Sequence, residues 1–445
     1  VTISNAGTAA GFGSTGEVSW NTTKITADPG PAVSGVGYFT DTSGSAFSVT
    51  LPSSPSAGAV VAVADYANTW DTNNLTLSRN GSNIEGAAAD FVANIEGASI
   101  TLVYVDATKG WVVTNSGNST DGREEPAFIA ATGGNSTTTI GDFKVHAFTS
   151  PGTFCISAVG NASGSNTVET LIVAGGGGAS FDRAGGGGGG GVVLTPTSGV
   201  SVTAQGYPIS IGAGGAGKAS PLGAGQHTAA NGVNSTGFSL TAIGGGATNR
   251  GGNAQPQPAV TGVPGGSGGG GSGGCGTVGP GGTATQPTQP GNSGTYGNGF
   301  AGGNASPAME TGGGGGASAV GVNAVASTTS GPGGAGIDVS PRFGTAPQPF
   351  YIANNSDNGP SATGIFAGGG GGGASGSAPP SSGGTGGPGG GGFAGNSPIN
   401  TGNASGKNGL GNTGGGGGGS SNISPAPYTG GNGGSGIVLI RYKFQ

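Results

Sequence analysis

The stretch "GAGGAGKAS", residues 212–220, comes nearest in this chain to a motif with known chemistry. A phosphate-binding loop reads Gly-x4-Gly-Lys-Ser/Thr; its backbone amides hold a phosphate, and the final hydroxyl binds Mg²⁺. Ala219 stands where that hydroxyl is required, and no helical pattern comes after it. Because 110 of the 445 residues are glycine, near-matches of this kind arise by chance. We predict no nucleotide site here.

The other side chains that commonly catalyse reactions or bind metals are sparse. The chain has two cysteines, Cys155 and Cys275, and two histidines, His146 and His227. Two cysteines do not make a disulfide framework, and we expect both to be reduced and buried. The histidines fall in strand or loop patterns and are too few to suggest a metal site. We therefore predict that the protein is not an enzyme and has no catalytic residue, cofactor or metal.

Arginine and aromatic side chains could instead bind a macromolecular partner, because these residue types are enriched where interfaces gain most of their affinity. They concentrate in residues 337–366, the longest interruption between glycine runs. The first candidates for receptor binding are Arg342, Phe343, Phe350, Tyr351 and Phe366. Two further groups of candidates are Tyr296, Phe300 and Met309, and then Phe393 and Tyr428. The alternative for all these side chains is structural, covering an end of the fold or packing between protomers.

Charge and hydropathy exclude two classes of partner. Twelve lysines and arginines against 18 acidic residues give a net charge of −6. Nucleic-acid binding needs a basic face that neutralises phosphates, and the sequence has no basic cluster. No apolar run approaches the length of a membrane-spanning helix. We expect neither nucleic-acid binding nor membrane insertion.

Glycine runs separate the candidate side chains and must position them. The stretch "LIVAGGGGASFDRAGGGGGGGVVL", residues 171–194, sets a short apolar strand on each side of two such runs. The chain contains 110 glycines and 27 prolines, about 31% of its residues, a level typical of low complexity. Disordered chains are usually highly charged, however, and only 7% of these residues are charged. A simple linker would not need flanking strands, so we interpret the runs as structure.

Polyproline II geometry offers these glycines a packed arrangement. Such a helix has three residues per turn and no internal hydrogen bonds. Because buried amides are nearly always paired, neighbouring glycine helices must supply the partners, and only glycine lets the backbones approach closely. The strand pattern at 436–445 is expected to pair with 167–174 and so to close the region.

Residues 1–118 have a different pattern, with alternating apolar strands and Asn80-Gly81 as a hairpin turn. The predicted fold class is all-β plus irregular, with almost no α-helix. A small β-sandwich-like module (1–118) is joined by a linker (119–142) to a polyglycine-II helix slab edged by β-strands (143–445).

Several stretches together resemble the glycine-rich domain of phage tail-fibre and adhesin proteins, particularly those of marine and cyanobacterial phages. The resemblance is carried by "FKVHAFTSPGTFCISAVG", "VETLIVAGGGGA", "YPISIGAGGAG" and "GGNGGSGIVLIRYKF" within 143–445. Residues 33–114 resemble a β unit of structural proteins in those phages. The likeness to T-even tail-tip adhesins implies polyglycine-II packing with receptor-binding loops at one end.

The resemblance implies a virion fibre or adhesin subunit that binds a host receptor non-covalently, without a cofactor. Its expected partners are a host cell-surface protein or polysaccharide and other virion proteins. We expect an extracellular position on the virion and a homo-oligomer, a trimer by analogy with phage fibres. One alternative is a purely structural decoration, whisker or filament protein without a receptor. Another is ice binding, which would call for ordered threonine rows that the sequence does not show.

Overall fold

The structure is a computed structural model that describes residues 18–115, 126–161, 163–220, 227–250, 260–274, 276–353, 355–361, 363–375, 381–396, 403–422 and 428–445. The chain divides into two compact units, Val1–Pro126 and Ala127–Gln445. We call them the β unit and the glycine unit. Each is described by itself.

The described residues of the β unit form two small sheets. One has the strand order β1-β2-β4-β7-β8 and the other β3-β5-β6. The eight strands are β1 (Ser19–Ile25), β2 (Val36–Thr40), β3 (Phe47–Thr50), β4 (Val60–Asp65), β5 (Leu75–Ser78), β6 (Phe91–Ala93), β7 (Ser99–Asp106) and β8 (Gly110–Val113).

Alternating apolar residues of both sheets meet in one core. Trp70 and Trp111 are fully buried there, together with Leu75, Leu77 and Phe91. The Trp70 indole N–H donates to Thr40 Oγ1 at 3.0 Å, so its polar atom is satisfied inside the core. This arrangement agrees with the predicted sandwich-like packing.

Within its described residues, the glycine unit contains short strands and two one-turn helices. No helix among the described residues is long and apolar enough to cross a membrane. Its elements are β9 (Ala130–Thr132), β10 (Ser136–Ile140), β11 (Phe143–Phe148), β12 (Gly152–Ala158), β13 (Thr167–Val173), β14 (Val192–Leu194), β15 (Val200–Ser201), β16 (Gly206–Ile209), β17 (His227–Thr228), β18 (Ser235–Gly237), β19 (Leu240–Ala242), β20 (Asn249–Arg250), α1 (Asn292–Thr295), β21 (Gly297–Asn298), β22 (Ile337–Asp338), α2 (Ser340–Phe343), β23 (Ile365–Phe366) and β24 (Ile437–Lys443).

The main sheet of this unit has the order β10-β11-β24-β13-β14-β21. Strand β24 pairs antiparallel with β13, from Glu169 opposite Arg441 to Val173 opposite Ile437. The predicted closure by the last strand pattern is therefore confirmed. Part of the predicted linker 119–142 is not a linker, because strands β9 and β10 form within it and each belongs to a sheet. Residues 119–125 lie outside the described residues.

Glycine runs pack beyond this sheet as polyglycine-II helices. The run 185–191, which we call the central glycine helix, shows the geometry best. Amides three residues apart donate to the same neighbour, as Gly186 and Gly189 do to Gly312 and Gly315 at 3.1 and 2.8 Å. Three residues per turn is the polyproline II period. Donors and acceptors together bond this helix to six segments, 174–179, 243–248, 267–272, 311–317, 367–374 and 414–420.

Close backbone contact explains why these positions must be glycine. A Cβ atom placed on Gly188 would lie 2.2 Å from the Ser267 carbonyl oxygen, and one on Gly187 would lie 2.1 Å from that of Gly177. No side chain fits at such distances. The predicted glycine lattice is thus present, and it is held together by backbone hydrogen bonds between helices.

Cys155 does not match the expectation of a buried thiol. It is an exposed free cysteine on β12, because alternate residues of this strand face outward while Phe154 and Ile156 face the core. Cys275, for which burial is also expected, lies outside the described residues.

Candidate functional site

The glycine lattice has two unlike ends. At one, the lattice helices continue directly into the main sheet: β13 leads into 174–179, and the central glycine helix leads into β14. We call this the sheet end. The opposite end, where the central glycine helix begins beside Ala184, is the distal end.

Connections between lattice helices gather at the distal end. The chain turns back there at 180–183, 306–310 and 325–329, all within the described residues. The described part of the lattice stops at this end near Lys218, Arg250, Ser375, Asn396 and Ser421. The distal end therefore carries three described turns between lattice helices.

A buried ion pair organises the described part of this end. The Asp182 carboxylate accepts hydrogen bonds from Arg250 Nε and Nη2 at 3.1 and 2.8 Å. Arg183 Nε lies 3.4 Å from the other carboxylate oxygen of Asp182. The Arg250 guanidinium is stacked over the Phe181 ring, 4.5 Å from its centroid. Both Arg250 donors bond to the same oxygen, Asp182 Oδ2, and charge-assisted hydrogen bonds of this kind are stronger than neutral ones.

Backbone strain accompanies this pair. Asp182 and Arg183 have φ values of 58° each, and Met309 has φ 80°. Left-handed conformations cost non-glycine residues roughly 1–2 kcal/mol each and persist where surrounding contacts determine them. Here Ser420 Oγ accepts from the Asp182 amide at 2.8 Å, and Arg183 Nη1 contacts Met309 Sδ at 2.7 Å. The turn 180–183 is thus held in one shape.

Two of the predicted receptor-binding residues lie at this end, Met309 and Tyr428. Both are half-buried. Burial raises the pKa of the Tyr428 hydroxyl, and the negative charge of Asp182 raises it further. The Tyr428 backbone exchanges two hydrogen bonds of 3.0 Å with Ser220, which holds its position.

The main predicted site, 337–366, is not a binding loop at the distal end. This segment packs on a face of the main sheet against Val145, Leu171 and Leu439. The expectation that its rings are displayed to a partner is wrong, because they pack against the apolar side chains of this sheet face. The rings buried in this way are Phe343, Phe350, Tyr351 and Phe366.

Two polar groups of this segment also point inward. Burial raises the pKa of Tyr351, whose hydroxyl donates to the Gly344 carbonyl at 2.8 Å. Arg342 donates to the Glu169 carboxylate on β13 through Nε and Nη2 at 3.0 and 2.6 Å. Arg342 therefore ties the segment to the sheet.

The remaining candidates are not brought together. Tyr296 packs against an apolar core of the glycine unit that includes Val193 and Ala242. Phe393 is buried within the lattice, whereas Phe300 is 40% exposed nearer the sheet end. Among these candidates, Met309 and Tyr428 lie beside the Asp182 ion pair at the distal end.

Sequence reasoning missed the cluster that Asp182 forms with Arg183 and Arg250 at the distal end. Its signal is "SFDR", residues 180–183, where charged residues interrupt two glycine runs. The Asp182 partner, Arg250, lies 68 positions away, so only the fold shows the pairing. Among the described residues, no group of three or more histidine, cysteine or acidic side chains could hold a metal ion.

Comparison with known proteins identifies the second unit. No curated protein matches the chain. Residues 148–443 match the family model of the glycine-rich domain, and this match spans about two thirds of the 445 residues. It covers the strands from β12 to β24 and the whole lattice between them. The chain therefore belongs to the glycine-rich domain family.

Proposed function

We propose that this protein is an adhesin subunit of a phage tail fibre or similar virion appendage, which binds a host cell-surface protein or polysaccharide through the distal end of its glycine unit. The observation that carries the proposal is the presence of three described turns, 180–183, 306–310 and 325–329, at one end of a hydrogen-bonded lattice. Rigid scaffolds that display loops are a common binding architecture.

Two features of the distal end support this choice. The turn 180–183 is held by the Asp182–Arg250 pair and by Ser420, so neighbouring loops start from a fixed platform. Rigid support of this kind lowers the entropy cost of binding. Met309 and Tyr428 are half-buried beside this turn, and tyrosine is enriched at interface hot spots.

A steric block at one end of the lattice tests the proposal without knowledge of the contact residues. Val325 is 58% exposed at the distal end, and Val233 is 54% exposed on a lattice helix near the sheet end. Each is changed to cysteine in a Cys155→Ser, Cys275→Ser background and coupled to a bulky maleimide–polyethylene glycol. Binding of fluorescently labelled protein to candidate host cells is then measured.

The expected result is saturable binding that the Val325 adduct abolishes and the Val233 adduct leaves intact. Loss of binding with the Val233 adduct alone would contradict a distal site. Absence of binding to every candidate host by a folded protein would contradict the adhesin function itself.

A structural role without a receptor is the second candidate. It is favoured by the burial of five candidate rings inside the chain, since rings buried in this way are not displayed to a receptor; they are Phe343, Phe350, Tyr351, Phe366 and Phe393. Under this alternative the protein is a virion decoration, whisker or filament component. Both roles place it outside the cell, as a homo-oligomer together with other virion proteins.

A further inference from the structure

A cavity of about 250 Å³ lies beside the main sheet, at the strand ends that are farthest from the lattice. It forms where β13 begins, where β11 begins and where β24 ends. Its volume is below the roughly 300–1,000 Å³ of pockets for drug-sized ligands, so it suits a single small ligand unit. The side chains relevant to binding are those of Asn166, Thr167, Thr197, Arg441 and Lys443.

The charges around this cavity do not balance. Glu169 on β13 faces Arg441 on β24 in the strand register, and Arg441 Nη1 lies 2.5 Å from its carboxylate. Arg342 pairs with the same carboxylate at 2.6 Å. One negative charge thus serves two arginines, and Lys443 adds a third positive charge. This patch is positive although the whole chain carries −6.

Many hydrogen-bond donors of the two cavity cations are unused. A guanidinium has five N–H groups and an ammonium three. Within the described part of the chain, the Arg441 side chain makes one hydrogen bond, to Glu169, and Lys443 makes none through its ammonium, which lies 5.5 Å from the Phe128 ring centroid. These donors are available to an anion in the cavity.

Arg441 is also held in place before any ligand binds. Its guanidinium carbon lies 3.5 Å from the Phe143 ring centroid, and Glu169 fixes the other side. Burial lowers the pKa of Arg441, while Glu169 opposes that shift and Arg342 adds to it. A partly desolvated cation of fixed orientation gains more from an anionic partner than an exposed one.

We propose that this cavity binds a carboxylate-bearing sugar unit, with Arg441 and Lys443 holding the carboxylate. The side chains of Asn166, Thr167 and Thr197 make no hydrogen bond within the described residues, although they line the same space. They provide donors and acceptors for sugar hydroxyls. The other charged groups on the adjoining strands are Lys144 of β11 and Asp142 just before it. This site is at the opposite end of the unit from the proposed receptor surface and does not depend on it.

Titration of the intact chain with glucuronate, measured by isothermal calorimetry, tests the site. Lys443→Met removes one cation without breaking an ion pair. Lys144→Met is the matched control, since Lys144 also lies over a phenylalanine, 4.7 Å from the Phe444 ring centroid, but does not line the cavity. Both variants are checked for an unchanged unfolding midpoint. Glucose and acetate serve as probes that lack the charge or the sugar ring.

We expect saturable glucuronate binding that weakens about tenfold or more in Lys443→Met and is unchanged in Lys144→Met. Glucose and acetate should bind at least about tenfold more weakly than glucuronate. A tenfold change corresponds to the loss of one charge-assisted hydrogen bond. Equal losses in both lysine variants would overturn the site, and equal affinity for acetate would overturn the sugar assignment. Absence of glucuronate binding would overturn the proposal whether or not the protein adheres to cells.

Discussion

The two units of this chain are stabilised in opposite ways. The β unit buries large side chains such as Trp70, Trp111 and Phe91 between two sheets. The central glycine helix carries no side chains, and its six neighbouring segments approach it mainly with backbone carbonyl and amide groups. One unit depends on apolar surface removed from water, the other on backbone hydrogen bonds and close backbone packing.

This difference shows what glycine contributes when it is used in bulk. Each glycine loses more conformational entropy on folding than any other residue. The lattice offsets that loss because every turn of a glycine helix bonds to several neighbours at once. Removing the side chains allows all six neighbours to approach. A single added methyl group therefore disturbs several helices together.

The largest of these effects is expected from Gly188→Ala, which adds one methyl group inside the central glycine helix. The new Cβ would lie 2.2 Å from the Ser267 carbonyl oxygen, so the backbones must separate and their hydrogen bonds break. We expect the glycine unit to lose its hydrogen-exchange protection, while the β unit keeps its own. Gly411→Ala is the control, because its nearest neighbour would be Ser435 Oγ at 3.7 Å. Unchanged protection in Gly188→Ala would refute the lattice as the source of stability.

Trp70→Ala should give the converse pattern. This fully buried indole fills the core of the β unit and donates to Thr40 Oγ1, and deleting a buried tryptophan typically costs about 3–5 kcal/mol. We expect the β unit to unfold at a lower urea concentration, while the amides of the glycine lattice keep their hydrogen-exchange protection. Simultaneous loss of both units would show that they unfold as one, and the two modes of stabilisation would then not be independent.

Phe343→Ala tests whether segment 337–366 is core. Phe343 is fully buried on the main sheet, so its truncation should lower the free energy of unfolding of the glycine unit by about 3–5 kcal/mol. Phe300→Ala, at a ring that is 40% exposed, should cost under about 1 kcal/mol. Equal, small effects at both positions would restore Phe343 as a residue available to a partner.

The smallest expected effect is a pH dependence of the stability of the glycine unit. His146 is buried on β11, where Nδ1 donates to the Gly133 carbonyl at 2.7 Å and Nε2 accepts from the Tyr442 hydroxyl at 3.2 Å. Burial lowers the pKa of His146, and Lys144 adds to this, while the bond to Gly133 opposes it.

Because the unfolded chain then takes up a proton more readily, stability is complete above the ordinary histidine pKa of about 6.5 and falls as pH drops below it. Urea unfolding of the glycine unit between about pH 5 and 7.5 should show this slope. His146→Gln should flatten it. A slope that persists in the variant would assign the pH dependence to another group.

Much of the architecture could be predicted because it depends on local chemistry. Apolar residues in 167–173 and 437–443 indicated strands, and glycine runs left close backbone packing as the arrangement that pairs their amides. The resemblance to a glycine-rich family pointed the same way. No side-chain detail was needed for either conclusion.

The candidate site could not be predicted in the same way, because it depends on contacts distant in sequence. Arg342 meets Glu169 across 173 positions, and Asp182 meets Arg250 across 68. The local sequence of an arginine and its aromatic neighbours is the same whether these side chains face a partner or cover a sheet. The strand register decides which, and the register becomes visible only in the assembled fold.

The place of β24 in the main sheet has a consequence for biosynthesis. This strand lies between β11 and β13, yet it comes about 260 residues after Val173 in the chain. At translation rates of about 5–20 residues per second, β11 and β13 wait on the order of ten to fifty seconds for the strand between them. During that interval their facing edges are open to pairing with other chains. The topology therefore exposes the nascent chain to mispairing until β24 has been synthesised.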